Sequence, residues 1–198
     1  MLPWLALFAC TSSGDPQIAR AFPEGFRMGA ATAGFQVDMG CPTRTDCVDT
    51  RSDWYAWVTD PRILEEESLY VTGQTVEAGP GMWELFEEDV VRMQADGMRA
   101  FRMSLEWSRL FPDAVPDGTP IDEMDALANG SAVARYHAMF AALRNAGIEP
   151  VVTVNHYTLP LWVHDGVACH LDPATCTSRG WADPELLVPR IAAFAGWA

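Results

Sequence analysis

Three polar side chains able to bind a ligand accompany three apolar segments of the sequence. An amide, Gln36, follows the first segment, a guanidinium, Arg102, lies in the second, and an imidazole, His156, follows the third. Amide and imidazole groups donate and accept hydrogen bonds, so at fixed positions they distinguish the polar groups of a ligand. Each residue also has a local interpretation, in which Gln36 caps a loop, Arg102 forms a structural ion pair and His156 is a buried histidine with satisfied hydrogen bonds.

The elements that position these residues are predicted to alternate between strands and helices. Small apolar or β-branched residues favour strands, whereas apolar residues three and four positions apart favour helices. The first strand is predicted to be fully buried. The predicted strands lie in 26–34, 98–105 and 151–154, and the predicted helices in 83–96, 136–145 and 184–197. The stretches 37–80 and 111–130 are predicted to be long loops. This alternation predicts an α/β fold.

Four cysteines form two local pairs, Cys41 with Cys47 and Cys169 with Cys176, each bracketing a polar loop that contains proline. In an exported protein such pairs predict disulfides. A zinc site is the weaker interpretation, because tight structural sites favour CxxC spacing and more than 120 positions separate the two pairs.

The first ten residues are apolar throughout but too short to span a bilayer, which takes about 20 residues. They suit the apolar region of an export signal, and the tetrapeptide ending at Cys10 resembles a bacterial lipobox. We therefore expect residues 1–21 to be a signal and linker, with Cys10 lipidated, and residues 22–198 to be the folded part. The alternative is a buried or incidental N-terminal segment. The expected location is periplasmic or extracellular, with membrane contact only through the lipid.

Charge and motifs argue against several classes of partner. Thirteen Lys and Arg against 27 Asp and Glu give a net charge of −14, which disfavours nucleic acid or an anionic membrane surface. The sequence contains no GxxxxGK[ST] loop and no HExxH motif, so nucleotide-binding and zinc-protease functions lack support. His137, His164 and His170 have no partner at catalytic spacing. A neutral substrate suits this composition.

Three longer motifs occur in a recognisable order: FPEGFRMGAATAGFQ at 22–36, FRMSLEWSRLFP at 101–112 and GIEPVVTVNHYTLPLWVHD at 147–165. Together they resemble glycoside hydrolase family 1, the family of β-glucosidases and β-glycosidases. The elements DWYAWVTD at 53–60 and GPGMW at 79–83 are similar to the archaeal-type branch of that family. The resemblance implies that residues from 22 onward form the N-terminal part, about three βα units, of a (β/α)₈ TIM barrel.

The family resemblance also implies roles for individual residues. Gln36 and His156 would bind hydroxyl groups in the glycone subsite, which holds the terminal sugar, and Arg102 would orient the nucleophilic carboxylate. Tyr157 stands where the family usually has Trp, and would form a shorter aromatic wall. Glu106 is interpreted as structural. The implied reaction is hydrolysis of terminal β-linked sugars with retention through a glycosyl-enzyme, without a metal or organic cofactor.

Retaining hydrolysis needs two carboxyl groups about 5 to 5.5 Å apart. In the family they lie in T-x-N-E-P and E-N-G motifs, and neither motif occurs in these 198 residues. We therefore expect an N-terminal portion of a longer enzyme, inactive by itself, since such a barrel takes about 250 residues. The alternatives are a non-catalytic, lipid-tethered carbohydrate-binding or partner-binding remnant, and a different (β/α)-barrel hydrolase.

Lipidation of Cys10 is testable in the producing cell. Cys10→Ala removes the thiol that would carry the lipid, so the protein should move from the membrane fraction to the soluble fraction. Ser13→Ala, in the linker, is the control and should leave the distribution unchanged. Membrane association that persists in Cys10→Ala, or a mature N-terminus elsewhere, would contradict the prediction.

Overall fold

The computed structural model describes residues 22–198. The predicted signal and linker, including Cys10, lie outside the described residues. Three parallel strands form a sheet in the order β1 (Gly29–Ala31), β2 (Ala100–Ser104) and β3 (Glu149–Thr153). Strand order follows chain order, as in successive βα units wound in one direction.

Eight helices surround or follow these strands within the described part of the chain. They are α1 (Gly34–Asp38), α2 (Asp53–Thr59), α3 (Pro61–Leu64), α4 (Met82–Ala95), α5 (Trp107–Leu110), α6 (Gly130–Asn145), α7 (Gly166–Leu171) and α8 (Pro184–Trp197). Short 3₁₀ helices lie at Glu67–Leu69, Val76–Ala78, Ile121–Ala126 and Gly180–Ala182. The stretches 37–80 and 111–130, predicted to be loops, thus contain helical turns.

The three long helices agree with the apolar spacing of the sequence, except that α6 begins six residues before the predicted range 136–145. Helix α4 ends where Gly97 adopts a positive φ of 72°, the left-handed conformation that ends many helices. Asn129 caps the N-terminus of α6, and its side chain accepts hydrogen bonds from the backbone N–H groups of Ser131 and Ala132. Helix α8 begins after Asp183 with Pro184 at its first turn. Local capping chemistry therefore sets where the helices begin and end.

The core lies on one face of the sheet, between the strands and the long helices. On β2, Phe101 and Met103 are buried at 3% and 1% exposure among side chains of α4 and α6. Arg102, between them, lies on the opposite, exposed face, beside Ala31 of β1 and Val151 of β3. Alternation along β2 therefore divides a helix-covered face from a face that carries Arg102.

The prediction that the first strand is fully buried is wrong for the described residues. Gly29 and Ala31 of β1 are exposed, and Val151 of β3 is 46% exposed. Small and β-branched residues suit a sheet covered on both faces, but helices of the described residues cover only one face. The composition of a strand indicates which environment it is suited to. Its actual burial depends on the elements packed against it.

Candidate functional site

The candidate site lies where the three parallel strands end. The carboxyl ends of parallel strands meet at one edge of a sheet, which is the edge that carries active sites in TIM barrels. Gln36 lies in α1 just beyond β1 and is exposed, Arg102 is exposed on β2, and His156 is half-buried just beyond β3. The structure thus places these residues on adjacent elements, and within residues 22–198 no hydrogen bond joins them to one another.

A buried carboxyl group, that of Glu106, connects the segments that follow the strands. Glu106 is 1% exposed; Ser104 Oγ donates to its Oε1 over 3.1 Å and Thr158 Oγ1 donates to its Oε2 over 2.6 Å. Ser104 Oγ in turn accepts from the backbone N–H of Gly34, 2.8 Å away. Glu106 therefore joins the end of β2 to the start of α1, which carries Gln36, and to the segment after His156.

Two features hold Glu106 in this position. A Cβ atom at Gly34 would overlap the carboxyl group, so the chain passes close to Glu106 because residue 34 is glycine. The backbone N–H of Glu106 donates to the hydroxyl oxygen of Tyr136 on α6 over 2.8 Å. The interpretation of Glu106 as structural agrees with these contacts, which are made with protein groups.

Two more carboxyl groups are buried nearby: Asp38 lies beside Arg109, and Asp49 accepts a hydrogen bond from Ser108 Oγ over 2.5 Å. Arg109 Nε lies 3.7 Å from Asp38 Oδ2, and its Nη1 donates to the Cys47 carbonyl oxygen over 2.9 Å. The guanidinium carbon lies 4.1 Å from the centroid of the Trp83 ring. These contacts connect α1, the 41–47 loop and α4 beneath the candidate site.

Burial changes the acidity of this cluster. Desolvation raises the pKa of Glu106 to about 7 against the opposing hydrogen bond from Thr158, and raises that of Asp38 to about 8 against the nearby positive charge of Arg109. Burial also raises the pKa of Tyr136 well above its ordinary value. Burial therefore favours the protonated forms of Glu106 and Asp38 to higher pH than in water.

An aromatic wall lies beside His156. Tyr157 is 62% exposed and stacks on Trp54 of α2, with centroids 5.9 Å apart and planes 17° apart, and Phe35 meets Trp54 edge-on at 5.7 Å. Tyr157 adopts a positive φ of 76°, rare for a residue with a side chain. The side-chain amide of Asn155 closes this turn by donating to the Thr158 carbonyl over 2.8 Å.

The spacing of residues in the sequence did not reveal the hydrogen-bond partner of His164, which is Asp53. In the structure His164 Nδ1 lies 2.7 Å from Asp53 Oδ2, across 111 positions of sequence, and His170 Nε2 lies 2.8 Å from Glu66 Oε2. The available signal was that Asp53 and His164 both belong to motifs of the family resemblance. The absence of a partner at catalytic spacing in sequence did not imply the absence of one in space.

The paired cysteines also come together. The Cα atoms of Cys41 and Cys47 are 5.7 Å apart, and those of Cys169 and Cys176 are 4.9 Å apart, both within the range of disulfides. Across residues 22–198 no group of three or more His, Cys, Asp or Glu side chains is arranged to hold a metal ion.

Comparison with known proteins identifies the family to which the chain belongs. The sequence model of Glycosyl hydrolase family 1 matches residues 18–176. The chain therefore belongs to glycosyl hydrolase family 1, as its motifs predicted, and the described residues form about three βα units of the (β/α)₈ barrel.

Several of the proteins to which the chain is similar come from archaea. The chain is 33% identical over 187 residues to a β-galactosidase of Pyrococcus woesei, covering 84% of this chain and 36% of that protein. It is 31% identical to a β-galactosidase of Saccharolobus solfataricus, covering 89% and 39%. The β-glycosidase of Thermosphaera aggregans matches in structure with a TM-score of 0.78 and 29% identity, over 89% of this chain and 39% of that one. The chain thus spans little more than a third of these relatives.

The buried carboxyl cluster predicts a pH-dependent stability. Because the pKa of folded Glu106, about 7, exceeds its ordinary 4.5, the folded state binds more protons between these values, and the free energy of unfolding falls as pH rises through that window. Glu106→Gln should reduce this fall when urea unfolding is measured from pH 5 to 8.

Two further variants complete this measurement. Glu106→Ala should destabilise the fold by about 1–3 kcal/mol, since Ser104 and Thr158 lose their acceptor. Glu185→Gln, an exposed carboxyl group at the start of α8, is the control and should keep the wild-type pH dependence. A Glu106→Gln curve parallel to that of the wild type would contradict the prediction.

Proposed function

We propose that the polypeptide to which this chain contributes is a retaining β-glycosidase that removes terminal β-linked sugars from oligosaccharides or simple β-glycosides. Family membership supports this, as do the archaeal relatives that are named β-galactosidase. The observation that carries the proposal is the Glu106 contact network, which gathers the segments bearing Gln36 and His156 at one edge of the sheet.

Each residue of this edge has a physical task in the proposed reaction. The amide of Gln36 and the imidazole of His156 bind hydroxyl groups of the terminal sugar, and an epimer that leaves them unpaired is penalised. The exposed ring of Tyr157, held against Trp54, supplies an apolar surface for one face of the sugar ring. Arg102, on the exposed face of β2, orients the nucleophilic carboxylate and favours its ionised form.

The two reacting carboxyl groups are assigned to polypeptide beyond this sequence, because the 198 residues contain neither family motif that carries them. A nucleophile would attack the anomeric carbon and an acid/base would protonate the leaving oxygen, then activate water. The 198-residue chain by itself should therefore be inactive. The same missing motifs favour the second candidate, a non-catalytic carbohydrate-binding or partner-binding remnant.

Two measurements separate the candidates: reading the nucleotide sequence beyond codon 198, and assaying the complete protein that it encodes. An in-frame continuation to an N-E-P motif, and turnover of an aryl β-glucoside or β-galactoside by the complete protein, are expected. A reading frame that closes after Ala198, or a complete protein without turnover, would contradict the enzyme. Measurable turnover by the 198-residue chain above a mock preparation would contradict the assignment of the carboxyl groups.

Kinetics of the complete protein test the individual roles. Gln36→Ala and His156→Ala each remove hydrogen bonds that strengthen in the transition state, so kcat/KM should fall about tenfold or more, or about 1.4 kcal/mol. Arg102→Ala should lower kcat most. The exposed residues Gln94 and His137, on α4 and α6, provide matched controls as alanine variants. Near-wild-type kinetics in all three site variants would support the purely local interpretations.

We further propose that the protein is exported and that Cys10 anchors it through lipid. The two close cysteine pairs support an oxidising compartment, since disulfides persist there. Among residues 22–198 no helix is long and apolar enough to cross a membrane. We propose no metal or organic cofactor, because two carboxyl groups and hydroxyl contacts suffice for the chemistry.

The disulfides are testable by peptide mapping without reduction. Material from the producing host should show Cys41 linked to Cys47 and Cys169 linked to Cys176, because each pair lies at disulfide distance. The same digest after reduction is the control and should release the linked peptides. Free thiols at all four positions would contradict the pairing and the proposed location.

A further inference from the structure

A second buried carboxylate, that of Asp53, joins two segments that are remote in sequence. Asp53 is the first residue of α2 and is 5% exposed. Its Oδ1 accepts from the backbone N–H groups of Trp54 and Leu159, both at 2.9 Å, and its Oδ2 lies 2.7 Å from His164 Nδ1. Two backbone donors at Oδ1 suit a carboxylate, which only accepts. Against an accepting Oδ2, the 2.7 Å contact is a hydrogen bond when His164 Nδ1 carries the proton.

Backbone contacts extend this junction on both sides. The Asp53 N–H donates to the Leu159 carbonyl oxygen and the Leu161 N–H donates to the Arg51 carbonyl oxygen, each over 2.9 Å. Ser52 and Pro160 form an isolated antiparallel bridge. The segment 51–53 is therefore paired with the segment 159–161, and the Asp53 carboxylate satisfies donors from both.

This junction lies next to the aromatic wall. Trp54 directly follows Asp53, and Tyr157 lies two residues before Leu159, so the carboxylate fixes the chain close to both rings of the stack. Tyr157 is 62% exposed and has a positive φ, hence its own packing and backbone preference do not hold it in place. The orientation of its ring therefore depends on the contact with Trp54 and on the chain around it. The Asn155 and Thr158 hydrogen bonds hold the turn itself, and the junction holds the segment that follows it.

We propose that Asp53, supported by His164, is a positioning residue of the active site. It holds Tyr157 face to face with Trp54, so that the tyrosine ring presents a fixed apolar surface to the terminal sugar. Because that role of Tyr157 belongs to the proposed glycosidase function, this inference rests on that function. Asp53 itself is buried and acts through Tyr157.

A double-mutant cycle on the complete enzyme tests the coupling. Asp53→Ala should lower kcat/KM for an aryl β-glycoside about tenfold, and should lower it less than about threefold when Tyr157 is already alanine. Asp53→Asn keeps an oxygen for the two backbone N–H groups, so it should recover most of the lost kcat/KM.

Two more variants separate a loss of positioning from a general loss of folding. His164→Ala leaves the backbone hydrogen bonds of Asp53 in place; it should lower kcat/KM by a smaller factor than Asp53→Ala, again only while Tyr157 is present. Glu88→Ala, the control, removes an exposed carboxylate that pairs with Arg92 within α4, and should leave kcat/KM unchanged.

The outcomes separate this inference from the function on which it rests. An active enzyme in which Asp53→Ala and His164→Ala lower kcat/KM by the same factors with or without Tyr157 would overturn the positioning role alone. An unsubstituted complete protein without turnover would overturn the proposed function and this inference with it. Loss of the Asp53 and His164 effects in the Tyr157→Ala background would support the inference.

Discussion

The candidate site depends on the hydrogen bonds of one buried carboxyl group, that of Glu106. It accepts hydrogen bonds from Ser104 at the end of β2 and from Thr158 beyond β3. The Ser104 hydroxyl in turn accepts from the backbone N–H of Gly34 at the start of α1. Three loops that are far apart in sequence therefore share one polar centre. Because sheet pairing ends before these loops begin, side-chain hydrogen bonds hold their relative positions.

This arrangement has a cost in electrostatic free energy. Removing carboxyl groups from water disfavours their charged form, which is why the pKa of Glu106 rises to about 7 and that of Asp38 to about 8. Hydrogen bonds to Glu106 and the guanidinium of Arg109 near Asp38 offset part of this cost. Burial of these groups therefore lowers the free energy of unfolding as pH rises from about 4 to 8, while their contacts keep the loops above them in defined positions.

Local patterns predicted much of the fold and of the residues at the candidate site. The helices over 82–95 and 184–197, and the part of α6 from 136 to 145, follow from apolar spacing, glycine stops and helix-starting residues, all of which act within a few positions of the chain. The motifs also placed Gln36 and His156 immediately beyond strands. Contacts across long separations, such as that of Asp53 with His164, were missed because no local pattern encodes them.

By itself, the sequence determined the order of the three strands and the three long helices, the family and the pairs of nearby cysteines, because each depends on residues close in the chain or on motifs in a fixed order. The tertiary structure decided which face of the sheet is covered, which carboxyl groups are buried together and which loops meet at Glu106 and Asp53. Burial and acidity depend on neighbours brought from remote positions, so only the folded chain defines them.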